Sequence, residues 1–346
     1  MLLLLFLVTA YYCHGLPVNS PIAQSVENHI SGGVSGKPNL DEDKLNKLLS
    51  DQEISSNVDF LSNRPGGKLE FPMFLRKSVE DYEKDAAVVL QQSFQDAEVT
   101  PGLFQGDIAG FSPEAYRLWR VGLRWDVFPE RKWDNATVPY YISDKYSPTE
   151  KQIIQTAVHT LGLLTCVKFV PYEGNKTTDY LLIWPVTRPA GCWSFIGRLG
   201  GQQVLSLQQP DKTGPKCLGG PGKPMHEIMH ALGIFHEQSR ADRDAFVKFN
   251  EENAIQAFVH NFDKQSLENT TYQYEYDYNS IMHYGTHFFS SSRDKPTLVP
   301  IQKRAKIGQR DGISRLDCYK INVLYNCFDT PQNKAKYEAF CDILGI

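Results

Sequence analysis

The sequence predicts an α+β fold, on three observations: a strand, helix and strand in succession over residues 138–170, two further strand-like runs beyond them, and a second amphipathic stretch at 250–262. Val138-Pro139-Tyr140-Tyr141-Ile142 has the β-branched and aromatic residues of a strand. Ser147-Pro148-Thr149-Glu150 then supplies an N-cap, a proline at the first helical position and a capping-box glutamate. Behind them Ile153, Ile154, Ala157, Val158, Leu161 and Leu164 recur at helical spacing, which marks one face of that helix as core. Val167 to Val170 reads as the next strand, followed by Tyr180 to Trp184 and Gln203 to Leu207, giving a small sheet with a helix against it. Asn250 to Phe262 reads as a second helix with Ile255, Phe258, Val259 and Phe262 on one face.

The 346 residues suffice for roughly two folding units and at least one substantial core. Lys+Arg 36 against Asp+Glu 40 leaves a net charge of −4, which gives no electrostatic footprint for nucleic acid. The apolar run from Met1 to Ala10, closed by Cys13-His14-Gly15, has the form of a secretory signal cut at about residue 15, although its first residues lack Lys and Arg. It is too short to span a bilayer, so no stable membrane anchor is expected. Cys13 leaves with that signal. The remaining Cys166, Cys192, Cys217, Cys318, Cys327 and Cys341 are even in number and suit disulfides in a secreted, extracellular chain, although parity alone does not choose the pairing. Asn135, Asn175 and Asn269 open glycosylation sequons. Residues 16–103 are polar and free of cysteine, as a spacer, a disordered tail or a pro-segment would be, and the chain divides near residue 120.

The chemistry is concentrated in His226-Glu227-Ile228-Met229-His230-Ala231-Leu232-Gly233-Ile234-Phe235-His236. On a helix, His226 and His230 at i and i+4 share a face and can reach one zinc ion, with Glu227 beside them. His236 would lie about 15 Å further along a continuous helix. Gly233 can take a left-handed conformation, end the helix and bring His236 back as the third ligand, leaving coordination open for water. Such a site lowers the pKa of bound water towards about 7, and Glu227 can take and return its proton, which implies peptide-bond hydrolysis. The plain alternative is a surface helix with incidental histidines.

These residues, with the continuation His236-Glu237-Gln238-Ser239-Arg240-Ala241-Asp242-Arg243-Asp244 and the stretch Ser280-Ile281-Met282-His283-Tyr284, resemble the astacins, a family of metzincin zinc endopeptidases, over about residues 104–330. The resemblance implies a twisted sheet and long helices above a zinc cleft, and a mostly irregular lower half. It makes Met282 the floor of the metal site (the Met-turn) and Tyr284 an additional metal ligand that swings away to stabilise the transition state. A buried phenol is equally suited to a structural hydrogen bond. Phe104-Gln105-Gly106-Asp107 resembles the motif by which these zymogens place an aspartate on the metal, so Asp107 is the expected latency switch.

The organisation implied is a signal peptide at 1–15, a pro-segment at 16–120 and a catalytic domain at 121–346, with no EGF-like or CUB-like tail. A trypsin-like activating protease would cut after Arg117, Arg120 or Arg124. Arg120 is favoured, leaving Val121 first, where the family usually presents a smaller residue. The new α-amino group is expected near Glu237. By the same resemblance Cys166 pairs with Cys327 and Cys192 with Cys217, which leaves Cys318 and Cys341 for a third bridge. Gly200 to Leu205 resembles the edge strand that binds substrate backbone. Lys303 or Arg304 could supply a cationic pocket for an acidic side chain after the scissile bond, against the plainer reading of a solvated turn. The expected molecule is a monomer with one zinc ion that acts on protein or peptide substrates. A non-catalytic binding protein on the same fold would not need Glu227, and a nucleotide deaminase would need a Cys-rich ligand set.

Overall fold

The computed structural model describes residues 96–100, 103–109, 129–174, 177–186, 190–209, 216–264 and 274–344. The expected signal, most of the expected pro-segment, Arg120, Val121, Asn175 and Asn269 lie outside the described residues.

The chain forms β1 (Ile108–Ala109), β2 (Thr137–Ile142), α1 (Pro148–Leu164), β3 (Lys168–Pro171), β4 (Tyr180–Trp184), β5 (Cys192–Phe195) and β6 (Gln202–Leu207). These strands make one sheet in the order β1-β5-β6-β4-β2-β3, parallel throughout except where β5 folds back antiparallel on β6. A parallel pair needs a crossover, and α1 supplies it between β2 and β3. The capping box of α1 is formed: the Glu150 N–H donates to the Ser147 hydroxyl at 3.3 Å, and the Ser147 N–H to Glu150 Oε2 at 2.7 Å. All of β4 is buried, because its residues alternate between two cores. Leu181 and Ile183 pack with Ile154, Leu161, Ile228 and Met229 on the helical side, and Leu182 and Trp184 with Trp193, Phe195 and Val204 on the other.

The expectation that Gly200 to Leu205 forms the cleft's edge strand is corrected here. β6 lies inside the sheet, between β4 and β5. β5, a four-residue strand between glycines with too little pattern to be read from sequence, turns back antiparallel on β6 and lies between it and the two-residue β1.

After α2 (Gly222–Ala231) the chain is mostly irregular, with a small ladder of β7 (Val247–Phe249) and β8 (Leu298–Pro300). The expected helix at 250–262 is a second correction: two 3₁₀ segments, Glu251–Asn253 and Gln256–Phe262, stand in its place. Between them Ala254 bridges to Ser290 and the Ile255 N–H donates to the Phe289 carbonyl at 2.9 Å, so the backbone groups that would continue a helix serve another segment. Phe258 and Phe262 are still buried, among Val247, Tyr276, Tyr284 and Phe289. The chain ends in α3 (Arg315–Leu324) and α4 (Pro331–Ile343). Three disulfides join Cys166 to Cys327, Cys192 to Cys217 and Cys318 to Cys341, the last tying α3 to α4. Among the described residues no helix is long and apolar enough to cross a membrane.

Candidate metal centre

The end of α2 builds the site. Gly233 has φ 101°, and the turn closes with two bonds, Gly233 N–H to the His230 carbonyl at 2.8 Å and Ile234 N–H to the Met229 carbonyl at 3.0 Å. The next carbonyls, of Ala231 and Leu232, accept from the Trp133 indole at 2.8 Å and the Tyr325 hydroxyl at 3.1 Å. The chain therefore turns back, and His236 comes to ring-centroid distances of 5.3 Å from His226 and 4.7 Å from His230.

Each imidazole sets Nδ1 against an oxygen: His226 on the Ile281 carbonyl at 2.8 Å, His230 on the Ile234 carbonyl at 2.7 Å, and His236 on the Gln105 side-chain oxygen at 2.8 Å. Burial lowers the pKa of His230 and takes that of His236 down to about 3, so these rings are neutral, with the proton on Nδ1 and a lone pair on Nε2. These two nitrogens and His226 Nε2 converge on Asp107. His226 Nε2 and His236 Nε2 lie 3.2 and 3.1 Å from Asp107 Oδ2, and His230 Nε2 lies 3.6 Å from Oδ1. All four side chains are buried, and acceptors facing acceptors in a dry site repel one another unless a cation lies among them. Three imidazole nitrogens and a carboxylate are a donor set that zinc accepts, so the residues fit that ion.

Glu227 projects beside this cluster with both carboxylate oxygens buried and without a hydrogen-bond partner. Burial and the charges of Asp107 and Glu98 push its pKa well above the usual carboxylate range. Tyr284 packs its ring 4.7 Å from that of His236 and donates its hydroxyl to the Gln105 carbonyl. Met282 is buried, its carbonyl accepting from the Glu237 N–H at 3.0 Å, one residue after the third histidine. Asp317 holds this turn, accepting from the Ser280 hydroxyl at 2.6 Å and the Ile281 N–H at 2.8 Å. Glu237 already has partners: Lys320 at 2.6 Å, Arg240 at 3.1 Å and the Asp277 N–H at 2.9 Å.

Residues 96–100 and 103–109 pack over the site. β1 pairs in parallel with β5, the Ser194 N–H donates to the Asp107 carbonyl at 2.9 Å, and the Cys192 N–H donates to the Ala97 carbonyl at 2.8 Å. Gly106 has φ 85°, and a Cβ there would lie 2.6 Å from the Glu98 carbonyl oxygen, so only glycine fits the turn that presents Asp107. Buried Glu98 pairs with Arg310, whose Nε lies at 2.8 Å and Nη2 at 2.7 Å, and Asp96 pairs with Lys223. Two cations, Arg310 and Lys223, thus pair with carboxylates of this segment. Lys303 and Arg304 are exposed, in a turn where Arg304 has φ 70°. Sequence reading missed Glu98, Arg310, Lys320 and Asn261, which belong to no periodic pattern. A signal for Arg310 was its place in a loop between Gly308 and Gly312. Asn135 is exposed.

A family model described as Astacin, a peptidase family, matches residues 126–326. Zinc metalloproteinase nas-13 of Caenorhabditis elegans is 44% identical over 255 residues, 73% of this chain and 54% of the relative, so the chain spans about half the length of that protein. High choriolytic enzyme 1 of Oryzias latipes is 40% identical over 229 residues, 65% of this chain and 78% of the relative. The solved structure of that protein, a hatching enzyme zinc-protease, superposes with a TM-score of 0.50 over 57% of this chain and 93% of its own. The matched span holds α2, the turn at Gly233, the three histidines and the turn at Met282, and with them on one side of the cleft the chain belongs to the astacin family of peptidases.

Proposed function

We propose that the chain is the precursor of a secreted zinc endopeptidase, with His226, His230 and His236 as metal ligands, Glu227 as general base and Asp107 as the latency switch. The observation that carries this reading is the convergence of three imidazole Nε2 atoms beside a buried carboxylate without a partner. Zinc, when bound, supplies a Lewis acid that acidifies water and polarises the scissile carbonyl. Glu227 takes a proton from the attacking water and passes it to the leaving amine. Tyr284, released from the Gln105 carbonyl when the pro-segment departs, donates to the developing oxyanion.

Substrate backbone would pair along β5, the strand that β1 covers, in the manner of an added strand. Arg310, paired here with Glu98, would read an acidic side chain next to the cut bond. Activation follows cleavage after Arg120 by a trypsin-like protease. The new α-ammonium of Val121 then joins Lys320 and Arg240 at Glu237 as a third cation rather than the first. Secretion follows from the signal at 1–15, with Asn135, Asn175 and Asn269 open to glycans, and the active species is a monomer.

Trypsin-treated, zinc-loaded protein is expected to cleave denatured casein and to stop when a chelator is added. Glu227→Gln should keep its zinc and lose turnover by roughly 10²–10⁴-fold. Near-normal cleavage by that variant, or cleavage indifferent to chelator, overturns the reading. Asp107→Ala should give a precursor that leaks activity before trypsin, and a variant as silent as the unaltered precursor removes Asp107 as the switch.

A further inference from the structure

We propose that Gln105 is a positioning residue for the third metal ligand: its side-chain oxygen fixes His236 for zinc in the precursor, and that support leaves with the pro-segment at activation. The proposal rests on the reading of residues up to 120 as a removable pro-segment. His226 and His230 are oriented by the carbonyls of Ile281 and Ile234, which the mature chain keeps. His236 is oriented by Gln105 Oε1, which the mature chain does not keep.

Three further features show that Gln105 is held in place for this contact. The residue is fully buried and sits at φ 48°, a left-handed backbone that a non-glycine residue adopts only when its surroundings hold it there. Its N–H donates to Asn261 Oδ1 at 2.9 Å and its carbonyl accepts from the Tyr284 hydroxyl, so both backbone groups are anchored to the catalytic domain. Its Nε2 is buried without a hydrogen-bond partner, so the amide offers its oxygen to His236 while its own donor goes unmet. Turned the other way, the amide would put N–H groups against Nδ1, which would then have to accept, and the imidazole proton would sit on Nε2, where it blocks metal ligation. The sense of one amide is thereby coupled to the ability of His236 to bind zinc. Partners of this kind fix the tautomer of a ligand and raise its basicity. Asp107 and Gln105 thus act on the metal site from one short turn, Asp107 from the face where water would enter and Gln105 from behind the third ligand.

The test uses full-length, zinc-loaded precursors and follows transfer of zinc to a chromogenic chelator. Gln105→Leu, which removes the acceptor at similar volume, should transfer zinc roughly 10–100-fold more readily than the unaltered precursor. Gln105→Glu restores an oxygen facing Nδ1 and should hold zinc at least as firmly as the parent. After trypsin activation every variant yields the same mature sequence, so the differences should vanish. A Gln105→Leu precursor that transfers zinc at the parental rate, a Gln105→Glu precursor as loose as the leucine variant, or a difference that survives activation each overturns the proposal. Asp107→Ala, scored for casein cleavage before trypsin, reports on the latency reading separately: its silence would sink that reading without touching the zinc-transfer comparison.

Discussion

Glu227 carries two acceptor oxygens into the interior with no donor to meet them, and two more carboxylates, Asp107 and Glu98, stand nearby. Both neighbours lie on the segment proposed to leave at activation, and on that proposal its departure would remove two charges that, after burial itself, raise the pKa of Glu227. As the proposed base, Glu227 would then accept a proton more readily. At the same scale Tyr284 has a hydroxyl bound to Gln105 and a ring against His236. Tyr284→Phe is expected to lower kcat of the activated enzyme by roughly 10²–10³-fold with little change in KM, as for loss of one oxyanion donor. Steady-state kinetics on a fluorogenic peptide would decide it, and an unchanged kcat would return Tyr284 to a packing role. The ligand triad was legible because its spacing has one geometric solution once Gly233 ends the helix. Arg310 was not, because its partner Glu98 is 212 positions away in sequence and no local rule connects them.

Among the elements, α1 and α2 were readable because their signals are local: a proline and capping box at one start, apolar spacing along the face, a glycine at the other end. The stretch 250–262 has equally good spacing, and there a pairing with residues 289–290 outweighed it. β5 was lost for a related reason, since four residues carry little pattern and its place between β1 and β6 comes only from the sheet. Gly233 allows a test at this scale. With φ at 101°, Gly233→Ala forces a side chain into a disfavoured conformation at a cost of roughly 1–3 kcal/mol, and it displaces Ile234, whose carbonyl orients His230. A lower melting temperature together with weaker zinc binding is expected. A fall in stability with zinc affinity intact would show that the turn does not position the ligand.

For the whole molecule, the described residues 96–100 and 103–109 are held by the buried Glu98–Arg310 pair as well as by the sheet. Burial pushes the Glu98 carboxyl up, but Arg310, His226 and Lys223 together outweigh it and hold its pKa down to about 2. A depressed carboxyl stabilises docking fully above its ordinary 4.5 and loses that contribution as pH falls from 4.5 towards 2. Hydrogen exchange of residues 96–109, corrected for intrinsic rates, should therefore show weaker protection at pH 3 than at pH 6. Equal protection would mean that the pair does not hold the segment. Arg310→Met should loosen the precursor by about 3–5 kcal/mol, because Glu98 is left buried and unpaired. In the activated enzyme the same change should erase any preference for acidic residues beside the cut, measured with a peptide library.

One carboxylate connects the far end of the chain to the metal. Asp317 begins α3 as its capping-box residue and also clamps Ser280 and Ile281, whose carbonyl aims His226. Fraying of that helix start and slackening of the first histidine are one mechanical event, so heat and demetallation attack the same joint. Melting should accordingly be a single cooperative step that moves to lower temperature when the ion is stripped, with no separate early loss of the C-terminal helices.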